Sequence, residues 1–380
     1  MNKVYITKTG TFLPGDPVSN DEMEEYLGFI NETASKTRRL ILRNNKIETR
    51  YYALTKEGKP THTNAQLVHQ AITSIFDEQF QETDIELISC GSSTPDITLP
   101  SLAAMVHGEF NNVLCEINAA AGCCVAGMNA LKFGYLSVKS GEKKNAVCSG
   151  SERTSSWMLA DKFESEVQHL KELEKQPILA FNKDFLRWML SDGAGVFLLE
   201  NKPAEKGISF EIVWMEGYSF AHETEACMYA GSDKAADGSL ISWTDIPAEE
   251  WLNKSVFAIK QDTKLLGANI LVKGARSYKM AMDKHQLTPD DVDYFLPHIS
   301  SYFFKEGLRE EMQKVGMDIP FEKWFMNLNR IGNVGAASIY IMLDELAKSD
   351  RLKEGDRILL SVPESGRFSY AYAYLKVVKK

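Results

Sequence analysis

The stretch Asn118-Ala119-Ala120-Ala121-Gly122-Cys123-Cys124-Val125-Ala126-Gly127-Met128 decides the reading of this chain. Small residues join an apolar run to a helical pattern, and a cysteine stands where the helix begins. A helix N-terminus offers unpaired N–H groups and a partial positive charge. Both favour a thiolate, so the spacing predicts a thiol with a lowered pKa that is nucleophilic at neutral pH. The same N–H groups suit an oxyanion formed when that thiolate attacks a carbonyl. The plainer account is that Cys123 and Cys124 are small buried hydrophobes, a common fate of free cysteine.

Outward from this point, short apolar runs alternate with amphipathic stretches, the pattern of an α/β protein. Toward the N-terminus we read strands at Val4–Thr7, Ile85–Cys90 and Asn112–Ile117, and a loop over Gly10–Pro17. An acidic helix starts at Asp21, and a second helix over Asn64–Phe76 carries the stripe Leu67, Val68, Ala71, Ile72, Ile75, Phe76. After the cysteines come a helix over Cys124–Lys139, ending near Gly141, and a strand over Asn145–Cys148. The second half repeats the order. Asp84-Ile85-Glu86-Leu87-Ile88 is matched by Asp291-Val292-Asp293-Tyr294-Phe295, and Lys139-Ser140-Gly141-Glu142-Lys143 by Lys353-Glu354-Gly355-Asp356-Arg357. Small residues cluster before a long helix in both, at Ala119–Gly127 and Gly332–Ala337. We read an internal duplication with a boundary near Asn201–Gly207, giving halves 1–205 and 206–380.

Composition removes several classes. The chain has 380 residues, is 44% hydrophobic and 25% charged, and has only 12 prolines, so disorder and low-complexity scaffolds are excluded. A net charge of −9 argues against nucleic acid as the main partner, since phosphate binding relies on clustered cations. None of the six cysteines falls in a CxxC pair or beside a histidine at ligand spacing, so no metal site is expected. The N-terminal Met1-Asn2-Lys3-Val4-Tyr5-Ile6 lacks a signal-peptide core, and no run approaches 18 apolar residues. The expectation is a cytoplasmic protein with no membrane partner.

Three further pieces carry chemistry. In Tyr294-Phe295-Leu296-Pro297-His298 a histidine directly follows an apolar strand, the end at which α/β proteins place their sites. In Arg330-Ile331-Gly332-Asn333-Val334-Gly335-Ala336-Ala337-Ser338 an asparagine occupies a glycine-flanked turn before a helix. Pro363-Glu364-Ser365-Gly366-Arg367-Phe368 reads as a loop after a strand over Ile358–Val362. Singly, a core histidine and a turn asparagine are the plainer accounts. Ser191-Asp192-Gly193-Ala194-Gly195 is a turn signal and falls short of a dinucleotide fingerprint.

Together, the cysteine at a helix start, Pro-His after a strand, Gly-Asn-x-x-Ala-Ala-Ser and the late glycine loop resemble β-ketoacyl-ACP synthase III of the thiolase superfamily. The resemblance runs from Thr9-Gly10-Thr11-Phe12-Leu13-Pro14 to Phe368-Ser369-Tyr370-Ala371-Tyr372. It implies the five-layered αβαβα thiolase fold of two similar halves, and a homodimer. The family pattern places Ala-Leu six and seven positions after its cysteine and ends Lys-Ser-Gly seventeen after. Counting from Cys124 reaches Ala130, Leu131 and Gly141, so Cys124 is the implied nucleophile and Cys123 the small residue before it.

The resemblance then implies that Cys124 holds an acyl group and that the N–H groups of Cys124 and Gly366 form the oxyanion hole. It implies that His298 and Asn333 bond the thioester carbonyl of a malonyl-type extender, whose decarboxylation leaves an enolate. The reaction is a decarboxylative Claisen condensation; it needs no metal or redox cofactor, and acyl-CoA or an acyl carrier protein delivers the substrates. Several positions depart from the family. The adenine-stacking tryptophan aligns to Leu40 and a phosphate-side arginine to Asn44. The residues after the histidine are Ile299, Ser300 and Ser301, and the carrier-docking arginine aligns to Phe303. The glycine triplet of the late loop aligns to Ser365, Gly366 and Arg367. These changes spare the chemistry and alter the substrate mouth, so acetyl-CoA is not the expected primer. A carrier-bound or longer acyl chain in a secondary pathway fits better. An alternative is a ketosynthase that joins two acyl chains and cyclises them toward cyclohexanediones and dialkylresorcinols. That chemistry needs another base, for which Glu152, on a loop after the Asn145–Cys148 strand, is the candidate; a structural carboxylate is its plainer role. A third alternative is a non-catalytic partner subunit of a synthase, although such partners usually lose the nucleophile. The segment Ala221–Ile241 has no assignment.

Overall fold

The computed structural model describes residues 2–35, 38–111, 114–162, 186–252, 254 and 256–380. Nine strands form its main sheet: β1 (Tyr5–Phe12), β2 (Leu87–Ser92), β3 (Glu116–Ala121), β4 (Asn145–Glu152), β5 (Gly193–Glu200), β6 (Ile208–Ser219), β7 (Tyr294–Pro297), β8 (Arg357–Glu364) and β9 (Ser369–Lys379). Their spatial order is β7-β8-β9-β6-β1-β5-β4-β2-β3. Read outward from the middle, the first five run β1-β5-β4-β2-β3 and the last four β6-β9-β8-β7. The two series place corresponding strands alike. Where the second would have its outermost strand, Trp324 makes a single parallel bridge to Phe295. The loop 201–207 lies between β5 and β6, and Gly207 exchanges both main-chain hydrogen bonds with Lys380.

The two series join through β1. Tyr5 stands opposite Glu200 of β5 on one side and Glu211 of β6 on the other. Strands β4 and β5 are buried along nearly their whole length, and in β4 this includes the polar Ser149, Ser151 and Glu152. Helix α1 (Asn64–Thr73) packs its Leu67, Val68, Ala71 and Ile72 face inward and starts on a capping box between Thr63 and Gln66. Helix α2 (Val125–Ser140) ends on Gly141, whose φ of 85° suits a residue without a Cβ. Helices α3 (Thr263–Lys284) and α4 (Lys305–Lys314) pack on each other beside the second series, and α5 (Ser338–Ala347) follows the Asn333 turn. Both α2 and α5 touch strands of both series, so they form the middle layer.

Close backbone approach fixes that layer. A Cβ on Gly127 would lie 2.3 Å from the Ala336 carbonyl oxygen, one on Gly150 2.1 Å from the same atom, and one on Gly91 2.2 Å from the Ala126 oxygen. The Ala336 carbonyl is thus seated against α2 and β4, and that contact holds the Asn333 turn next to the start of α2.

Several elements differ from the sequence reading. The expected loop over Gly10–Pro17 begins later, because β1 continues to Phe12 by pairing with Ala194. The strand expected at Asn112–Ile117 runs Glu116–Ala121, so the alanines read as a turn are paired with β2; residues 112–113 of that reading lie outside the described residues. The strand Asn145–Cys148 extends to Glu152 and the strand Ile358–Val362 to Glu364.

Candidate active site

Gly122, with φ of 143°, turns the chain from β3 into α2, and Cys124 is the N-cap of that helix. It is partly exposed, into cavities. One cavity, open to solvent at its mouth, is lined by Cys124, His298 and a largely apolar wall that includes Leu266, Ile270, Phe304 and Met312. A second is lined by Cys124, Asn333, Glu152, Ser93, Thr154 and Gln261, together with Met189 and Ile259. They share Cys124, Ser300 and Ser365, so the thiol stands on the wall between them.

His298 follows β7, where its N–H bonds the Ser361 carbonyl at 2.8 Å, and it is 3% exposed. Burial lowers its pKa to about 4, so the ring is neutral at physiological pH. Asn333, 4% exposed, is fixed through its backbone: its N–H bonds Met189 O at 3.0 Å and its carbonyl accepts from Ser191 N at 2.9 Å. Its Oδ1 accepts from Gly335 N at 3.0 Å, which turns the Nδ2 end away as the donor. Gly366 sits in the turn between β8 and β9, where its carbonyl accepts from Cys227 N and Met228 N. A Cβ there would lie 3.3 Å from Cys123 Sγ, so this glycine packs against the cysteine pair.

Two expectations are corrected. The thiol of Cys124 does not have the lowered pKa that a bare helix end would give. Burial pushes it well above its usual value, and the carboxyls of Glu364 and Glu152 push it the same way. Glu364 Oε2 accepts from Cys123 N at 3.0 Å and Val125 N at 3.3 Å, so a carboxylate already occupies the positive end of α2. Glu152 is not on a loop; it is the last residue of β4 and fully buried. Its carboxyl accepts from Ser93 N, Ser93 Oγ, Thr94 Oγ1, Ser92 Oγ and Ala336 N. Those donors use its lone pairs, and burial still raises its pKa to about 7. The arrangement favours a brace between the loop after β2 and the Asn333 turn over a free base.

The departures at the mouth are also placed. Leu40 and Phe303 are exposed, Phe303 by 68%, while Ile299 and Ser300 line the apolar cavity and Ser301 caps the turn at Phe303. The unassigned segment has a position too: the Cys227–Met228 backbone is tied to Gly366, and Met228 lines the second cavity. Sequence reasoning missed Glu364 as a neighbour of the nucleophile, though the residue was in view two positions before Gly366. Nothing in the sequence pointed to Met228, Ile259 or Gln261. Among the described residues no cluster fit to hold a metal ion is present, and no helix is long and apolar enough to cross a membrane.

Comparison with known proteins relates the chain to one group of enzymes. The model of the 3-oxoacyl-[acyl-carrier-protein] synthase III C-terminal family matches residues 282–376, which include His298, Asn333 and Gly366. A β-ketoacyl-[acyl-carrier-protein] synthase III of Clostridium novyi (strain NT) is 25% identical over 376 residues, covering 95% of each chain. The chain is similar to these synthase III condensing enzymes along nearly its whole length. It has the thiolase fold and is an acyltransferase. It superposes on the tetronic acid condensing enzyme AbyA1 with a TM-score of 0.73 at 17% identity, over 98% of this chain and 99% of that one. Xanthomonas campestris OleA with bound lauric acid and lauroyl-CoA gives 0.69 at 18% identity, over 99% of both chains.

Proposed function

We propose that the synthase carries its acyl group on Cys124 and extends it with a malonyl-type thioester. The Cys124 sulfur attacks the acyl thioester; the new S–C bond replaces the donor's, and the thiol proton leaves with the departing CoA or carrier thiol. Main-chain N–H groups of Cys124 and Gly366 serve the oxyanion, a contribution of about 3 kcal/mol per donor in such sites. Neutral His298 and Asn333 Nδ2 donate to the extender's thioester oxygen. Loss of CO2 leaves a carbanion that attacks the Cys124 thioester; the new C–C bond replaces the C–S bond, and the cysteine leaves as a thiolate that takes a proton from water. The observation that carries this reading is the place of Cys124 on a wall shared by a cavity holding His298 and one holding Asn333.

Both cavities are walled mainly by apolar groups and suit a hydrocarbon chain, and Asn333, Ser93 and Gln261 give the second polar groups for the oxygenated partner. A second chamber reached by the same thiol favours, as a second reading, the joining of two acyl chains with later ring closure. The bound lauroyl-CoA of OleA belongs to that protein, yet it supports a long primer here. No cofactor enters either scheme.

We further propose a homodimer formed through β3. It is the outermost strand, largely exposed, and Leu114, two residues before it, is 97% exposed, as is Leu99 of the loop after β2 by 84%. An open strand edge next to bare leucines is a surface that proteins usually cover. We expect CoA or an acyl carrier protein to deliver the substrates, and a cytoplasmic location.

Intact-protein mass spectrometry after incubation with a series of acyl thioesters tests the reading. An adduct that Cys124→Ala abolishes and Cys123→Ala retains is the expected result. A non-catalytic partner subunit would gain no mass. Product chromatography with malonyl and β-ketoacyl donors then separates linear extension from ring formation.

A further inference from the structure

We propose that Glu364 is a positioning residue that governs the reactivity of Cys124 from the opposite half of the molecule, by seating its carboxylate on the N-terminus of α2. The proposal rests on the reading of Cys124 as the nucleophile. One oxygen, Oε2, accepts from the main-chain N–H groups on either side of that cysteine, at 3.0 Å from Cys123 and 3.3 Å from Val125. The other, Oε1, faces Gly366, where a Cβ would approach it to 3.2 Å. The carboxylate is therefore wedged between the helix start and the glycine assigned to the oxyanion hole.

Two effects follow from that placement. The carboxylate ties the late turn to the cysteine loop across 241 positions of sequence, which fixes Gly366 against Cys123. It also occupies the helix-end donors that would otherwise favour a thiolate, and adds a like charge beside the sulfur. The titratable groups facing it are the thiols of Cys123 and Cys124, and the Glu152 carboxyl acts on the same two thiols. Among the described residues no lysine or arginine pairs with it, and neighbouring Arg367 turns its Nε to the Thr224 carbonyl. The burial that raises the Glu364 carboxyl and the Cys124 thiol alike agrees with this competition for one helix end. The resting enzyme thus keeps a thiol, and the neutral acyl thioester on Cys124 escapes the repulsion that a thiolate meets.

The test is the pH dependence of iodoacetamide alkylation, resolved by peptide mass spectrometry to Cys124, in wild type, Glu364→Gln and Glu364→Asp. Glutamine keeps the size and an acceptor oxygen but removes the charge. Its midpoint is expected to fall by about one pH unit or more, raising alkylation near neutral pH about tenfold. Glu364→Asp is expected to stay near the wild-type midpoint. An unmoved midpoint in Glu364→Gln, or an equal shift in Glu364→Asp, overturns the proposal. Should Glu364→Gln not fold, Glu364→Ser, uncharged and small, is judged by the same shift. Alkylation needs no acyl transfer, so a midpoint shift without an acyl adduct on Cys124 overturns the nucleophile reading and leaves the Glu364 pairing standing.

Discussion

Gly127→Ala isolates the contact that holds the two halves of the site in register. The new Cβ would lie 2.3 Å from the Ala336 carbonyl oxygen and 3.1 Å from Tyr340 Cε2. Real Cβ contacts are essentially never under 3.0 Å, so one side must yield by at least about 0.7 Å. Helix α2 is packed against strands of both series, whereas Ala336 belongs to a short turn; the turn is the part that moves. Overpacking of this kind costs about 1–3 kcal/mol, partly offset by about 1 kcal/mol because alanine is the better helix former. The net loss of stability is therefore small, about 2 kcal/mol at most. Catalysis is hit harder, because Asn333 lies three residues before Ala336 and a shift near 1 Å can cost about 100-fold. We expect condensation with a malonyl thioester to fall about 10- to 100-fold while acylation of Cys124, which does not use Asn333, changes little. Single-turnover acylation by mass spectrometry, beside steady-state product formation, separates the two steps. Equal loss in both, or no loss in either, refutes the reasoning.

Filling the apolar cavity with Ile270→Trp should lower the ratio of long-chain to acetyl adducts at least about tenfold across a chain-length series, whereas Ile259→Trp in the second chamber should leave that ratio unchanged. His298 has a pKa of about 4 against an ordinary 6.5, so the unfolded chain binds its proton first. Its contribution to stability, about 3 kcal/mol, is complete above pH 6.5 and lost as pH falls toward 4, a slope that urea titrations should find reduced in His298→Gln. Glu152 runs the other way: raised from 4.5 to about 7, it favours the folded state below pH 4.5 and loses that advantage as pH rises to 7. Glu152→Gln should flatten that part of the profile. Arg50 is fully buried, and among the described residues its Nε and Nη2 have no partner and its Nη1 makes long contacts to two carbonyls, so Arg50→Met should give a urea midpoint no lower than wild type.

The α/β alternation was legible in the sequence, and so were the positions of Cys124, His298 and Asn333 at strand, helix or turn ends, because small residues and apolar runs mark those ends. Element ends were less legible. Strand β1 outlasts its apolar run because Gly10–Phe12 are held by β5, a partner far along the chain. The alanines of β3 look like a turn but are paired with β2. The thiol's raised pKa could not be read from its local stretch, since the responsible carboxylates arrive from β4 and β8. The second chamber stayed hidden for the same reason: Met189, Met228 and Ile259 come from separated segments that carry no shared spacing.

The seam at β1 has a consequence for how the protein is made. This strand leaves the ribosome long before its partners, since the residues that flank Tyr5 in the sheet are Glu200 and Glu211. At common elongation rates roughly 195 residues take about 10–40 s to appear. Throughout that interval Tyr5 and Ile6, which the finished sheet buries on its two faces, have neither neighbouring strand to pair with, so the edges of β1 stay open until β5 and β6 close around it.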